Sequence, residues 1–260
     1  MVASLNMQNN MKKGSKLPKI VLIAGLAALF IFLLWITIYL TGSRSRIKLP
    51  IDDYSGSKST VEKDPDSIPE YSGDDYIVIN DGIPNFNTWD IDNIKGEHYS
   101  ELDNLGRCRT AFAMLDRTMM PVAPRGDIGQ VRPSGWKQAK YEGVIDSDPP
   151  YLYNRSHLIA YALTGQNANE LNLITGTRYM NFTIMRPWEE QVMRYLNDSS
   201  NHVLYRVTPC FKGKELLARG VEMEAYSVED QGELCFHVFI YNIQPGVVLD
   251  YATGESLQKE

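Results

Sequence analysis

His157 is the residue of this chain whose neighbours best suggest chemistry. It follows the short apolar run Tyr151-Leu152-Tyr153, and Arg155 stands two places before it. If the strand continues, Arg155 and His157 share one face and Ser156 points to the other. A nucleophilic pair of Ser156 with His157 is therefore geometrically disfavoured. A neutral imidazole near pH 7 is suited to take a proton from water, and a guanidinium meets phosphate charge in a planar fork. Downstream lie Asn172, Asn181 and Glu189. An amide oxygen such as that of Asn181 can hold magnesium, which keeps most of its waters and needs few protein ligands. Glu189 follows eight positions later, about two turns along and roughly 80° around an ideal helix, with Glu190 as the competing carboxylate. The set fits metal-assisted cleavage of a phosphodiester. Bland readings stand beside it: a structural histidine, an N-capping Asn181, solvated acids in a first helical turn. Asn154-Arg155-Ser156 and Asn181-Phe182-Thr183 also match the glycosylation sequon, and a glycan on either asparagine would contradict the catalytic reading.

These groups need elements to hold them. Short β-type runs are expected at Asp75 to Asn80, Arg109 to Met114, Gly143 to Ile145, Tyr151 to Asn154, Val203 to Phe211, Gly220 to Ser227 and Leu234 to Tyr241. Ser227 to Glu233 reads as a hairpin turn between the last two. A helix is expected from about Thr177 to Asn197. Its buried face is Met180, Ile184, Trp188, Val192 and Tyr195, and Pro187 implies a kink or a second start near Trp188.

The chain has a second conspicuous stretch, Ile20 to Leu40, which no charge interrupts. It is long enough to cross a hydrocarbon core of roughly 30 Å. Lys12, Lys13, Lys16 and Lys19 precede it and Arg44, Arg46 and Lys48 follow, a slight bias toward a cytoplasmic N-terminus. The segment ends without an Ala-x-Ala site, which favours an uncleaved signal anchor over a cleaved signal peptide. The expected organisation is a cytoplasmic tail over 1–19, a transmembrane anchor over 20–40, a stalk over 41–75 and a globular domain over 76–260. The domain would face the cell exterior, or be secreted if the anchor were cleaved. Formal net charge is −6, which argues against an indiscriminate nucleic-acid coat. Locally the balance reverses: Arg107, Arg109, Arg117, Arg125, Arg132, Lys137 and Lys140 face only Asp116 and Asp127. Cys108, Cys210 and Cys235 lack metal spacing, so a structural zinc site is not expected. Whether Cys210 and Cys235 pair is open.

The motif Asn154-Arg155-Ser156-His157 resembles the Asp-Arg-Gly-His signature of the DNA/RNA non-specific endonucleases of the ββα-metal type. The likeness is to the membrane-bound DNA-entry nucleases and secreted DNases of Gram-positive bacteria. It runs through Arg132-Pro133-Ser134-Gly135-Trp136, Asn172 to Asn181, Val203 to Pro209, Gln244 to Val247 and Asp250 to Gly254. Asn154 and Ser156 depart from the signature, and Ser156 adds a side chain where the family has glycine. The resemblance implies an α+β fold, a central antiparallel sheet with a ββα-metal finger. It implies magnesium, or manganese in its place, and no small-molecule cofactor. His157 would be the general base, Asn181 the metal ligand, Glu189 a support for the metal's waters, and Asn172 an amide orienting the base or the water shell. Arg155 would contact phosphate, with Arg132 and Arg178 binding substrate. Implied products carry 5′ phosphates, from DNA and also RNA, with little sequence preference. Rival readings are a membrane-tethered DNA receptor weak in catalysis, a phosphodiesterase of small nucleotides, and a non-enzymatic surface protein.

Overall fold

The computed structural model describes residues 68–260. Its centre is a six-stranded sheet in the order β1-β8-β7-β6-β3-β2, antiparallel at every pairing. The strands are β1 Tyr76–Val78, β2 Gly96–Tyr99, β3 Ala111–Leu115, β6 Val203–Cys210, β7 Gly220–Ser227 and β8 Cys235–Tyr241. Alternation assigns their two faces. Ala111, Ala113, Tyr205, Val207, Val221, Met223, Val238 and Ile240 enter the main core. Phe112, Met114, Leu204 and Tyr226 enter a second core with Phe86 and Ile94. That second face is covered by the segment carrying α1 (Thr88–Asn93), which Asn87 and Asp90 close with a reciprocal capping box.

The main face is covered by a helical layer. A π-helix over Tyr179–Met185 runs directly into α3, Arg186–Asp198. Met180, Ile184, Met185, Val192 and Leu196 are its buried contacts, with Trp188 and Tyr195 packed at the margin. The expected helix is thus divided, and its first residue, Thr177, belongs to a strand, β5 Leu173–Thr177. Pro187 sits at the start of α3, where its lack of an N–H and its clash with the preceding turn are least harmful.

β5 pairs antiparallel with β4, Tyr153–His157. Between them run α2, Tyr161–Thr164, and a 3-10 turn at Glu170–Asn172. The strand expected at Gly143 to Ile145 is instead a turn, because Gly143 has φ +72° and the Val144 and Ile145 N–H groups both return to the Tyr141 carbonyl, at 3.2 and 3.1 Å. A small hairpin, β9 Val247–Leu249 and β10 Ser256–Gln258, closes the chain. The ordered unit also begins earlier than Tyr76. Ile68 is buried against Phe239 and Tyr241, and the Tyr241 hydroxyl donates to the Glu70 carbonyl at 3.0 Å. No disulfide joins Cys108, Cys210 or Cys235 to one another. Cys210 pairs with Gly220 at one end of β7 and Cys235 with Tyr226 near the other, so the register holds them apart. Among the described residues no helix is long and apolar enough to cross a membrane; the expectations for residues 1–19, 20–40 and most of the stalk lie outside those residues.

Candidate active site

β4 carries Arg155 and His157 on the face opposite Ser156, as strand alternation requires. Ser156 is fully buried. A Cβ at Gly176 would lie 2.3 Å from its Oγ, so the serine occupies room that Gly176 leaves. The side chain that departs from the glycine of the signature therefore lies on the core side of the hairpin, opposite His157.

His157 is 6% exposed. Its Nε2 lies 2.8 Å from the Asn167 carbonyl oxygen. A carbonyl only accepts, so the proton sits on Nε2 and the lone pair on Nδ1. Nδ1 in turn faces Nη2 of Arg125 at 3.4 Å, a donor suited to that tautomer. Burial pushes the imidazole down to about 4, opposed by the Asn167 carbonyl and assisted by the Arg125 charge. At neutral pH His157 is therefore an uncharged base.

Asn172 is fully buried. Its Oδ1 accepts from the Ile159 N–H at 2.8 Å and its Nδ2 donates to the Ile159 carbonyl at 3.0 Å. Its backbone carbonyl accepts from the Leu158 N–H at 2.9 Å. The amide therefore clamps the two residues after the base rather than reaching a water shell. β5 is fixed to the main sheet by a second buried amide. Asn242 accepts from the Thr177 N–H at 2.9 Å and donates to the Thr175 and Ala218 carbonyls at 3.1 and 3.0 Å.

Asn181 lies in the π-helix, half-buried. It lines the same cleft of about 880 Å³ as Asn154, Arg155, Arg132, Arg178 and Arg125. Glu189, in the first turn of α3, is partly buried. Burial pushes its carboxyl up to about 8, against the charges of Arg186 and Arg125 and with that of Glu190. Glu190 instead pairs with Arg186 at 2.7 Å, which separates the two competing carboxylates: Glu190 holds a surface arginine and Glu189 faces inward, where its charge also acts on Tyr205 of β6.

Arg125 connects these groups. It lines the cleft, touches His157 and interacts in charge with Glu189. In the sequence it was one cation in a basic stretch with nothing to distinguish it. Arg155 differs from the expectation of a simple phosphate contact. Its Nε donates to the Val131 carbonyl at 2.6 Å and its Nη2 to that of Gly129 at 2.8 Å, while its guanidinium lies 4.2 Å from the centre of the Trp136 ring. Two donors are spent on the loop, so Arg155 shapes the cleft wall and contributes charge to it. Arg132 also turns to that loop, donating to the Val131 carbonyl at 3.2 Å, and Arg178 lies 5.2 Å from the Phe182 ring centre. The loop is seated by backbone contact: a Cβ on Gly254 (φ +84°) would meet the Gly135 oxygen at 1.9 Å.

A hard cation fits the cleft wall. The Asn181 amide lines it, and Glu189, in charge contact with Arg125 of the same wall, is a carboxyl that a nearby cation would help to ionise. A second cluster, Glu222, Glu224 and His237, also has ligand-like spacing. It lies on the other face of the sheet, where Arg206 already pairs with Glu224 at 2.6 Å and His237 with Glu222 at 2.5 Å.

The family model for DNA/RNA non-specific endonucleases matches residues 87–229, more than half of the chain. The chain belongs to the DNA/RNA non-specific endonuclease family. Among solved members it is similar to NucA from Streptococcus agalactiae with magnesium ion bound, at 30% identity and a TM-score of 0.62, covering 70% of this chain and 86% of NucA. The Sda1 nuclease with bound zinc ion is 25% identical, with a TM-score of 0.60 over 71% of this chain and 97% of Sda1. A curated deoxyribonuclease of Streptococcus dysgalactiae subsp. equisimilis is 31% identical over 109 residues, 40% of this chain and 32% of that protein. The chain thus spans about a third of the length of that curated relative.

Proposed function

We propose that this endonuclease-family chain hydrolyses DNA phosphodiesters with magnesium, without sequence preference, and RNA by the same site. The observation that carries the reading is the placement of His157 between the Asn167 carbonyl and Arg125. Its Nε2–H is held by Asn167, and its basic Nδ1 is turned toward Arg125 on the wall of a cleft lined by four arginines. Water attacks phosphorus as Nδ1 takes its proton. Arg125 stands where negative charge grows on the phosphoryl oxygens. Arg132, Arg155 and Arg178 hold the flanking phosphates, which carry no sequence information. Asn181 and Glu189 would hold magnesium, which would supply Lewis-acid charge against the phosphate. The P–O3′ bond breaks, the 3′ oxygen takes a proton from solvent water to leave as a hydroxyl, and the 5′ phosphate remains.

The deciding experiment is plasmid digestion by the full-length chain with magnesium, with manganese, and with chelator. Divalent-dependent nicking that Asn181→Ala removes is expected. Wild-type protein that binds DNA and cuts under no divalent ion would instead be a receptor. The apolar segment at residues 20–40 supports a further proposal, that the domain is tethered outside the membrane. Protease added to intact cells should then release a fragment starting within residues 41–67. A soluble protein beginning just after residue 43 would establish a cleaved signal.

A further inference from the structure

We infer that Phe182 is a base-stacking platform beside the cut, and that it favours unpaired over duplex substrate. The inference rests on the nuclease reading above and adds a substrate form to it. Phe182 follows Asn181 directly, and its ring is 49% exposed on the wall of the arginine-lined cleft. Leaving half of a phenyl ring in water forfeits hydrophobic stabilisation that burial would give, and no core packing explains its position. The ring stands in the π-helix, a wider helical form that recurs at functional sites.

Its surroundings suit a nucleobase. The residues one turn before and one turn after are both arginines, with guanidinium carbons 5.2 Å (Arg178) and 4.8 Å (Arg186) from the ring centre. Guanidinium planes and phenyl rings are the surfaces on which unpaired bases stack. A cleft that read only phosphate would need the cations and not the ring. A second exposed ring, Tyr151 at 41%, lines the same cleft with Lys140 5.0 Å from its centre. In a duplex the base faces are covered by their neighbours, so the ring has nothing to stack on. In a single strand each base offers a face.

The test compares Phe182→Ala and Phe182→Leu with wild type on one sequence as single strand and as duplex. Binding is read in chelator by quenching of a 2-aminopurine at each position along the single strand, and cleavage is read in magnesium. Removal of one stacking contact should weaken single-strand binding about 5- to 150-fold. The quench at one position should be lost, and duplex cleavage should change less than about threefold. Phe182→Leu, which keeps volume without a π face, should behave like Phe182→Ala. Equal losses on both substrates, an unchanged quench, or full rescue by leucine would each overturn the platform. The binding arm needs no turnover. A wild type that quenches at the Phe182-dependent position but never cuts would reject the nuclease reading alone.

Discussion

Asn172→Ala and Asn172→Asp separate a clamp from a catalytic amide. The wild-type side chain makes two buried hydrogen bonds to one residue, Ile159, at 2.8 and 3.0 Å. Alanine leaves the Ile159 N–H and carbonyl without those partners, at about 1–3 kcal/mol each, so about 2–6 kcal/mol in all. In a domain of this size each kcal/mol moves Tm by about 2–4 °C, which places the Asn172→Ala melt about 4–24 °C lower. Aspartate keeps the acceptor but turns an oxygen toward the Ile159 carbonyl. Only its protonated form can donate there, so its folded pKa must rise above the unfolded value of about 3.9. The sign follows: between the unfolded and the folded pKa the folded state holds more protons, so stability falls as pH rises. The Asn172→Asp protein should melt near wild type at pH 4 and well below it at pH 8. Thermal unfolding across that range is the assay, with cleavage measured far below the melt. There Asn172→Ala should keep measurable activity, reduced about 10- to 100-fold through misplacement of the base. An unchanged Tm with cleavage abolished would refute the clamp and restore an amide acting at the reacting centre.

Three further outcomes are expected. His157→Ala should lower cleavage by about two to four orders of magnitude. At saturating magnesium the wild-type rate should fall as pH drops through about 4, because burial holds His157 neutral above that value; an acid limb near 6.5 under those conditions would contradict the buried site. Arg125→Ala should lower kcat by about 10²–10³ with the melt unchanged, whereas Arg155→Ala should lower the melt and weaken DNA binding more than kcat. The reverse ranking in paired kinetics and melts would exchange their roles. Magnesium affinity, measured by calorimetry, should rise with pH up to about 8 as Glu189 ionises. Glu189→Gln should flatten that dependence and Glu190→Gln should not.

The sheet strands from residue 203 onward were legible because VLYRVTPCF and its successors combine β-branched and aromatic residues with clear turns. The hairpin partner of β4 was not. No strand was expected over Leu173 to Thr177, because the helix was expected to begin at Thr177; in the hairpin Gly176 leaves room for Ser156. Gly143 broke an apolar run that looked extended, since a positive φ ends the strand wherever the flanking residues are apolar. Within the candidate site, the roles of His157, Asn181 and Glu189 remain proposals; the three were singled out by residue type and by the family resemblance. Arg125 was not, because it lies 32 residues before His157 on a loop without periodicity. Asn172 was placed in the site from the resemblance, but its chemistry is spent on the backbone.

The charge of the chain and its proposed substrate are reconciled by where the charges sit. A net −6 would repel a polyanion if it were spread evenly. The arginines of the cleft are not neutralised in place. Arg155 and Arg132 turn to loop carbonyls, Arg178 to a ring, and Arg125 to a neutral imidazole. Carbonyl and ring contacts fix a guanidinium without cancelling its charge. Carboxylates are engaged elsewhere: Glu224 by Arg206 at 2.6 Å, Asp103 by Arg107 at 2.6 Å, Glu190 by Arg186 at 2.7 Å. Of the carboxyls near the cleft arginines, Glu189 is held toward its neutral form by burial, and Asp148 on the cleft wall and Asp127 beside Arg155 are outnumbered by the four arginines. The cleft therefore keeps a positive field in an acidic protein. Salt should weaken DNA binding in proportion to the phosphates these arginines meet.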